Sequence, residues 1–220
     1  MCGRYGFVPG ENFYNRFEIH NRLDNLEPHY NIAPGQLVPV ITRSSPNQVI
    51  LMKWGLIPHW AKDPRIGYKM INASSETLNE KPTFKYSLKN HRCLIPTSGF
   101  YEWKHIGEDK IPFYIRLKGK DMFAFAGLYD IWKDAEGYPL KTFTIITTSP
   151  NEFMSTIHHR MPVILTEEAE DIWLDQSLTD IDKLLALLTP TTAEMESIKV
   201  SKLVNNPNND SPEIIKPVKD

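Results

Sequence analysis

The second residue of the chain, Cys2, follows the initiator Met1 and is small enough for an aminopeptidase to remove that methionine. The new first residue would then carry both an α-amine and a thiol. The pKa of an α-amine is about 7.7–8, against about 10.4 for a lysine, so a sizeable share is the neutral nucleophile near neutral pH. Attack of this amine on an aldehyde gives a Schiff base, and the thiol can then close a five-membered thiazolidine. The alternative is that Cys2 only fills a small apolar niche, as free cysteines often do.

A carboxylate stands among bulky aromatic residues in Gly99-Phe100-Tyr101-Glu102-Trp103. In a strand, Phe100, Glu102 and Lys104 share one face, while Tyr101 and Trp103 point to the other. Burial in such surroundings raises the pKa of a carboxyl group and makes it a usable general acid or base. The alternative is an ion pair between Glu102 and Lys104 or an arginine on a solvated face.

Two further groups could move or hold protons. His158 and His159 follow a predicted short helix, and one of them could transfer protons near neutral pH while the other faces solvent. A structural histidine is the alternative at that position. Asn72 is a neutral donor and acceptor that could hold an amine or a carbonyl, although in isolation it is an ordinary turn residue.

Contact with a polyanion would need a local patch of cations, because the net charge of the chain is −2. Trp54 and Trp60 could stack on unpaired bases, unless both belong to the core. The alternative for the lysines is that they only solvate the surface. The candidate cations are Arg4, Lys53, Lys85, Lys89, Arg92, Lys104 and Arg160. No Cys-x-x-Cys, His-Glu-x-x-His or phosphate-loop pattern occurs, so neither a metal nor a cofactor is expected.

Composition predicts one domain in a reducing compartment. The 220 residues are 41% hydrophobic, and 17 prolines with 11 glycines indicate many turns and short strands. Only two cysteines occur, Cys2 and Cys93, which argues against a disulfide scaffold. No apolar run approaches the roughly 20 residues of a membrane span, and no signal peptide is evident. We therefore expect a cytoplasmic protein.

Short strands are the main elements predicted to position these groups. Apolar and β-branched runs predict strands at residues 4–8, 38–43, 48–54, 69–73, 92–95, 99–104, 122–128, 142–148 and 198–203. Residues 29–35 are predicted as a loop, and residues 75–88 as irregular helical turns interrupted by Pro82. Helices are predicted at residues 11–19, 150–157 with Ser149 as the N-cap, 166–174 with Thr166 as the cap, and 179–188.

These elements predict an α+β fold, a single domain with a curved, barrel-like, mainly antiparallel sheet flanked by helices. The domain is expected to cover residues 1–204, followed by a polar tail over residues 205–220.

Seven motifs occur in an order that resembles one known family. They are Met-Cys-Gly-Arg at the start, Tyr30-Asn31-Ile32-Ala33-Pro34-Gly35, Trp54-Gly55-Leu56-Ile57-Pro58, Ile71-Asn72-Ala73 with Glu76-Thr77, Arg92-Cys93-Leu94-Ile95-Pro96, Gly99-Phe100-Tyr101-Glu102-Trp103 and His158-x-Arg160-Met161-Pro162. The chain closely resembles the SOS-response-associated peptidase (SRAP) family, whose members crosslink to abasic sites in single-stranded DNA. The resemblance covers residues 1 to about 165 through these motifs.

The resemblance implies a role for each candidate residue. Cys2, exposed by removal of Met1, would capture the ring-opened deoxyribose as a thiazolidine and so shield the lesion during a DNA damage response. Asn72 would orient the Cys2 end or the sugar, Glu102 would be the acid/base, and His158 would assist proton transfer and slow reversal. DNA contacts are expected from Arg4, Asn31, Trp54, Gly55 and Arg160.

The resemblance also implies lyase-like Schiff-base chemistry with autoproteolytic removal of Met1. The partner would be single-stranded DNA with abasic sites, without membrane, metal or cofactor, and the protein would act as a monomer. It would be cytoplasmic, and associated with the nucleoid when bound to DNA.

One motif departs from the family pattern. The family commonly has Asn-Ala-Arg-x-Glu, whereas this chain has Asn72-Ala73-Ser74-Ser75-Glu76, so a phosphate contact is missing. Two other readings stay open. A thiol peptidase or N-terminal-nucleophile amidohydrolase would use Cys2 with His158 and Asn72 and release its product. A plain single-strand-binding module would not need Cys2 at all.

Overall fold

The computed structural model describes residues 2–24, 26–42, 44 and 47–218. The strands in these ranges are β1 (Arg4–Phe7), β2 (His29–Ile32), β3 (Leu37–Thr42), β4 (Gln48–Trp54), β5 (Asn72–Ser74), β6 (Arg92–Thr97), β7 (Gly99–Ile106), β8 (Asp109–Leu117), β9 (Phe123–Lys133), β10 (Pro139–Thr148), β11 (Met161–Pro162) and β12 (Met195–Lys199). The α-helices there are α1 (Phe13–Arg16), α2 (Pro82–Asn90), α3 (Glu152–Ser155), α4 (Glu167–Leu174) and α5 (Ile181–Ala186).

A closed barrel of five strands forms the centre of the molecule. The antiparallel pairs run from β4 to β3, β3 to β6, β6 to β9 and β9 to β10. The ring closes because β10 also pairs with β4, in parallel. Closure leaves no unpaired strand edge within the ring. The predicted α+β fold with a barrel-like, mainly antiparallel core is therefore confirmed.

A second, antiparallel sheet carries the start of the chain. Its strand order is β12-β8-β7-β1-β2. In the β1–β7 pair, Arg4 lies opposite Tyr101. Antiparallel pairing therefore brings the residues before Arg4 alongside those that follow Tyr101, which include Glu102. On the barrel, the short strands β5 and β11 both pair with β10.

Strand β9 lies at the heart of the core, as its apolar sequence predicts. Its residues from Phe123 to Leu128 are all buried. Gly127 lets β9 pack closely against its neighbours β6 and β10. A Cβ at this position would lie 2.3 Å from the Ile95 side chain and 2.9 Å from the Thr144 carbonyl oxygen. A side chain at that position would force the barrel strands apart.

Several predicted elements need correction. Part of the predicted loop at residues 29–35 is strand β2, because its backbone pairs with β1. Pro82 begins helix α2 instead of interrupting a helix, as the missing N–H of proline costs nothing in the first turn. The cap of α3 is Asn151, whose side chain accepts from Met154 N, and not Ser149. The predicted cap Thr166 is confirmed, since its hydroxyl accepts from Ala169 N.

The run Ser44-Ser45-Pro46-Asn47 predicts the turn of a hairpin, and its Ser45 and Pro46 lie outside the described residues. The flanking strands β3 and β4 pair in the antiparallel manner of a hairpin, from Leu37 opposite Lys53 to Thr42 opposite Gln48.

The segment after residue 204 folds back onto the second sheet instead of forming a separate polar tail. Ile214 is 1% exposed and packs with Tyr101 and Tyr114 in a small apolar cluster. Val200 forms a β-bridge with Pro217. These contacts pack Ile214 against the second sheet and pair Pro217 with Val200, within the stretch for which a polar tail is predicted.

Candidate functional site at the start of the chain

Cys2 lies just before β1 and is fully buried. Its Sγ is 3.8 Å from the carbonyl oxygen of Arg4, a distance compatible with a weak S–H donor. Burial, and next the nearby Glu102 carboxylate, raise the pKa of the thiol well above its usual range. The sulfur is therefore a neutral thiol at physiological pH. Met1, whose removal the chemistry requires, lies outside the described residues.

Asn72 is the first residue of β5 and contacts Cys2 directly. Its Nδ2 donates to the carbonyl oxygen of Cys2 over 2.9 Å. Its Oδ1 is buried and has no hydrogen-bond partner in the described part of the chain. A buried acceptor without a partner costs free energy, which a donor on an incoming ligand would recover. The strand is held in register by β10, where Ile145 lies opposite Asn72.

Glu102 lies on β7 with only 3% of its side chain exposed. Burial raises the pKa of its carboxyl group to about 7. The alternative of an ion pair on a solvated face is therefore wrong. A carboxyl group with this pKa is present in both protonation states at neutral pH, as a general acid/base requires.

His158, and not His159, faces Glu102. Its Nε2 is 3.8 Å from Glu102 Oε2, and 15% of its side chain is exposed. Burial lowers the pKa of its imidazole. The two rings stack at 4.3 Å between their centroids, which leaves His159 on the outer side. Burial disfavours the charged form of both Glu102 and His158, so the pair favours its uncharged state and can hold an exchangeable proton.

The four residues predicted to be catalytic thus converge from four separate segments. Cys2 carries the candidate nucleophiles, Asn72 donates to its carbonyl, and the candidate acid/base residues Glu102 and His158 lie within electrostatic reach of each other, with Glu102 also near the thiol. This arrangement can take a proton from an amine, deliver one to a leaving hydroxyl and return it without a bulk buffer.

Arg4 and Asn31, which were expected to contact DNA, hold the C-terminal segment. Arg4 Nη1 donates to Asn31 Oδ1 at 2.9 Å and to Val204 O at 2.7 Å. Asn31 is fully buried, and its Nδ2 lies within 3.1 Å of three carbonyl oxygens, those of Val204, Asn206 and Asn209. Asn31 therefore has no surface to offer a nucleic acid in this structure.

Trp54 and Gly55 also have structural roles. Trp54 is 1% exposed, and its indole N–H donates to Ile71 O, so neither ring face is open to a base. Gly55 has a φ of 117°. A Cβ there would lie 2.7 Å from Gly67 O, so glycine is required for a close backbone crossing. The other candidate stacking residue, Trp60, is 56% exposed.

Two further candidate cations, besides Arg4, have intramolecular partners. Arg160 forms a bidentate ion pair with Glu76 at 2.7 and 2.8 Å. Arg92 is buried, and its guanidinium donates to carbonyl oxygens near the ends of α2 and α4, among them Leu88 O and Trp173 O. Arg92 therefore joins two helix ends and is not a surface contact. Glu76 was not singled out from the sequence; its place in the Asn-Ala-x-x-Glu motif was the available signal.

Two other properties of the described part of the chain bear on function. No cluster of three or more histidine, cysteine or acidic side chains there has the geometry of a metal site. Its helices are all too short or too polar to cross a membrane.

The fold and the site define an α+β barrel protein whose candidate reactive residue stands at the start of the chain. This chain belongs to the SOS response associated peptidase (SRAP) family, which it matches over residues 1–207. It is 52% identical to the abasic site processing protein YoqW of Bacillus subtilis (strain 168), over 98% of this chain and 99% of that protein.

Two further comparisons agree with this membership. The chain is 48% identical to the abasic site processing protein YoaM of the same organism, covering 98% of this chain and 97% of that one. A crystal structure of a protein from Bacteroides thetaiotaomicron is similar with a TM-score of 0.90 and 32% identity, covering 99% and 100% of the two chains. The resemblance seen in the sequence motifs is therefore confirmed.

Proposed function

We propose that the protein senses abasic sites in single-stranded DNA and becomes covalently linked to them through Cys2. The α-amine of Cys2 attacks the aldehyde carbon of the ring-opened deoxyribose, and loss of water gives a Schiff base. The thiol then adds to the C=N carbon while its proton moves to the nitrogen. One aminothiol and one aldehyde thus yield one thiazolidine and one water. The convergence of Asn72, Glu102 and His158 on Cys2 is the observation that carries this proposal.

Each group near Cys2 has a task in these reaction steps. Glu102, with a pKa of about 7, takes a proton from the attacking amine and returns it to the departing hydroxyl. His158 relays protons beside it and assists the slow reverse reaction. Asn72 holds the Cys2 carbonyl and presents Oδ1 to a sugar hydroxyl or to the amine. The chemistry is lyase-like in its Schiff-base step.

The buried thiol distinguishes this function from that of a thiol peptidase. A cysteine peptidase needs a thiolate, which a lowered thiol pKa supplies. Here burial raises the pKa of the Cys2 thiol instead. A neutral thiol suits addition to a Schiff base, where its proton is transferred to nitrogen. The names of the relatives, abasic site processing proteins, point in the same direction.

Removal of Met1 must come first, because the amine of Cys2 otherwise lies in a peptide bond. We include self-catalysed removal in the proposal, with Glu102 as the nearby acid/base.

For DNA, we propose the exposed Trp60 as a stacking platform and a monomer as the acting species.

The test is to mix the purified protein with a single-stranded oligonucleotide that carries one abasic site, using the intact oligonucleotide as the DNA control. We expect a band on a denaturing gel only with abasic DNA, and mass spectrometry should locate the link at Met-free Cys2. Cys2→Ala should abolish the band. Cys93→Ala is the matched control, since Cys93 is the other buried thiol and should be dispensable.

Other outcomes would contradict the proposal. An adduct that persists in Cys2→Ala would assign the chemistry to a lysine Schiff base. Absence of an adduct from correctly processed, folded protein, together with equal binding of intact and abasic strands, would support a plain binding module. Release of a peptide product with turnover would support the peptidase.

A further inference from the structure

We propose that Asp130 and Trp132 of strand β9 are positioning residues for DNA binding, because they hold the turn that exposes Trp60. This turn covers residues 58–61, and we call it the Trp60 turn. The inference rests on the proposed function, in which Trp60 stacks on an unpaired base. Its structural part can be tested on the protein without DNA.

The Trp60 turn brings an aromatic ring to the surface from a buried segment. The backbone N–H of Ala61 donates to the carbonyl oxygen of Pro58 over 2.9 Å, so Trp60 takes the third of the four turn positions. Trp60 is 56% exposed, whereas Ala61 after it is buried. A turn at the surface tends to be mobile, and a stacking ring has to be held in one place. Contacts that hold the turn therefore decide how well Trp60 is presented.

Asp130 holds the residue that precedes Trp60. Its Oδ2 accepts from the backbone N–H of His59 at 2.9 Å and lies 3.0 Å from Nδ1 of the same residue. Its Oδ1 accepts from the backbone N–H of Ile131 at 2.8 Å, which fixes the carboxyl group on its own strand. Asp130 is 4% exposed, so its carboxyl group is shielded from water. The backbone of His59 is therefore tied to β9.

Trp132 holds the residue that follows Trp60. Its indole N–H donates to the carbonyl oxygen of Ala61 over 2.7 Å. Asp130 and Trp132 are two positions apart on β9, so their side chains leave the same face of the strand. One strand therefore holds the turn on both sides of Trp60.

Strand β10 adds a third contact just before the turn. Thr142 is fully buried and lies opposite Asp130 in the β9–β10 pair. Its hydroxyl oxygen accepts from the backbone N–H of Ile57 at 2.8 Å. Every second residue from 57 to 61 is thus held by one of the two strands, and Trp60 lies between two of the held positions.

This arrangement should affect affinity for DNA and not the covalent chemistry. Stacking of a base on an aromatic ring contributes directly to the binding of single strands. When a binding-competent conformation is populated only in part, the dissociation constant rises in inverse proportion to its population. The candidate catalytic residues lie on other elements, among them Asn72 on β5 and Glu102 on β7. The rate constant at saturating DNA should therefore not depend on the turn.

Two substitutions test the contacts. Trp132→Phe keeps an aromatic ring but removes the indole N–H that donates to Ala61. Asp130→Asn places an amide N–H₂ where one of two backbone N–H groups now finds an acceptor. Trp173→Phe is the matched control, since the indole N–H of Trp173 also donates to a backbone carbonyl, that of Cys93, but from helix α4.

Three readouts separate the structural claim from the functional one. The first is the ¹⁹F spectrum of protein labelled with 5-fluorotryptophan, recorded without DNA, in which loss of a line in Trp60→Phe identifies Trp60. The second is the dissociation constant for a fluorescein-labelled single strand with one abasic site, measured by anisotropy in a Cys2→Ala background. The third is the rate constant of adduct formation at saturating DNA in proteins that retain Cys2.

For Trp132→Phe and Asp130→Asn we expect the Trp60 line to shift or broaden and the dissociation constant to rise about threefold to tenfold. The rise should not exceed that of Trp60→Ala, and it should disappear when either change is made in a Trp60→Ala background. The saturating rate constant should change by less than about twofold. Trp173→Phe should change none of the three readouts. If Asp130→Asn does not fold, Trp132→Phe decides the test.

An unchanged Trp60 line in folded Trp132→Phe protein would overturn the positioning role. So would an unchanged dissociation constant, or a rise that persists in the Trp60→Ala background. If Trp60→Ala bound DNA as tightly as the parent, Trp60 would not be a DNA contact and the inference would fail with it. If the unmodified protein formed no adduct, the covalent function would fail, while the ¹⁹F line and the dissociation constant would still decide this inference.

Discussion

The side-chain amide of Asn72 donates to the carbonyl oxygen of Cys2 over 2.9 Å, and the two residues lie 70 positions apart in the chain. The carbonyl belongs to the residue whose amine is the proposed nucleophile. The hydrogen bond to this carbonyl restricts rotation about the backbone bonds of Cys2 and so fixes the direction in which its amine points. The contact therefore orders a chain terminus, which would otherwise tend to fray.

Asn72→Asp should slow adduct formation while leaving the fold intact. The variant replaces the amide donor with a carboxylate oxygen, which would face the Cys2 carbonyl oxygen. Loss of such a buried hydrogen bond corresponds to about tenfold to a hundredfold in rate. The measurement is single-turnover kinetics on a denaturing gel at saturating abasic DNA, with the far-ultraviolet circular dichroism spectrum as the control for folding. An unchanged rate would show that Asn72 does not orient the nucleophile.

Glu102→Gln should become more stable than the parent protein as the pH rises. The pKa of Glu102 is raised from 4.5 to about 7 in the folded state, mainly by burial. Below about pH 4.5, the carboxyl group is protonated in both the folded and the unfolded state. Between about pH 4.5 and 7, the unfolded state ionises more readily, so the parent loses stability, by about 3 kcal/mol at most. Glutamine does not titrate, so the variant escapes this loss.

The measurement for Glu102→Gln is the free energy of unfolding in urea, taken for both proteins from about pH 5 to 8. The difference between them should grow in favour of the variant up to about pH 7 and then level off. A constant difference would mean that the carboxyl group titrates normally in the folded protein.

The catalytic candidates could be predicted because their residue types limit what they can do. Local sequence made an N-terminal cysteine, a glutamate among aromatic residues and a histidine after a short helix candidates beside structural alternatives, and the family resemblance favoured their catalytic roles. Strands could be predicted from local sequence as well, since a short apolar run such as that of β9 indicates a buried strand. Closure of the barrel was not predictable in detail, because the parallel β4–β10 pair joins segments far apart in the chain.

The intramolecular roles of the expected DNA contacts could not be predicted, because local sequence does not reveal the partner of a polar side chain. Arg4 finds the carbonyl of Val204, 200 positions later. Trp54 and Trp60 lie close together in the chain, yet the first is buried and the second exposed. The contacts with the C-terminal segment and within the barrel give these positions structural roles that their motifs alone do not indicate.

Ile214→Ala should destabilise the whole domain, although the residue lies in what the sequence predicted to be a tail. Its side chain is 1% exposed and contacts the cluster around Tyr101, the neighbour of Glu102. Truncation of a buried isoleucine costs about 2–5 kcal/mol. Urea unfolding should show a lower midpoint with an unchanged slope, and Leu203→Ala, at a 56% exposed position, should have little effect. An unchanged midpoint for Ile214→Ala would restore the separate tail.

Ser74→Arg should strengthen binding to single-stranded DNA and make it more dependent on salt. Ser74 replaces the arginine that is common at this position in the family, and it now shares Glu76 with Arg160. A second guanidinium beside one carboxylate leaves one positive charge without an internal counter-ion. One added phosphate contact should steepen the slope of log K against log salt by about 0.7 for a single strand. The measurement is fluorescence anisotropy over a range of salt concentrations in a Cys2→Ala background, where no covalent link interferes. Ser74→Gln is the control for side-chain length, and an equal slope in both variants would show that position 74 does not reach the DNA backbone.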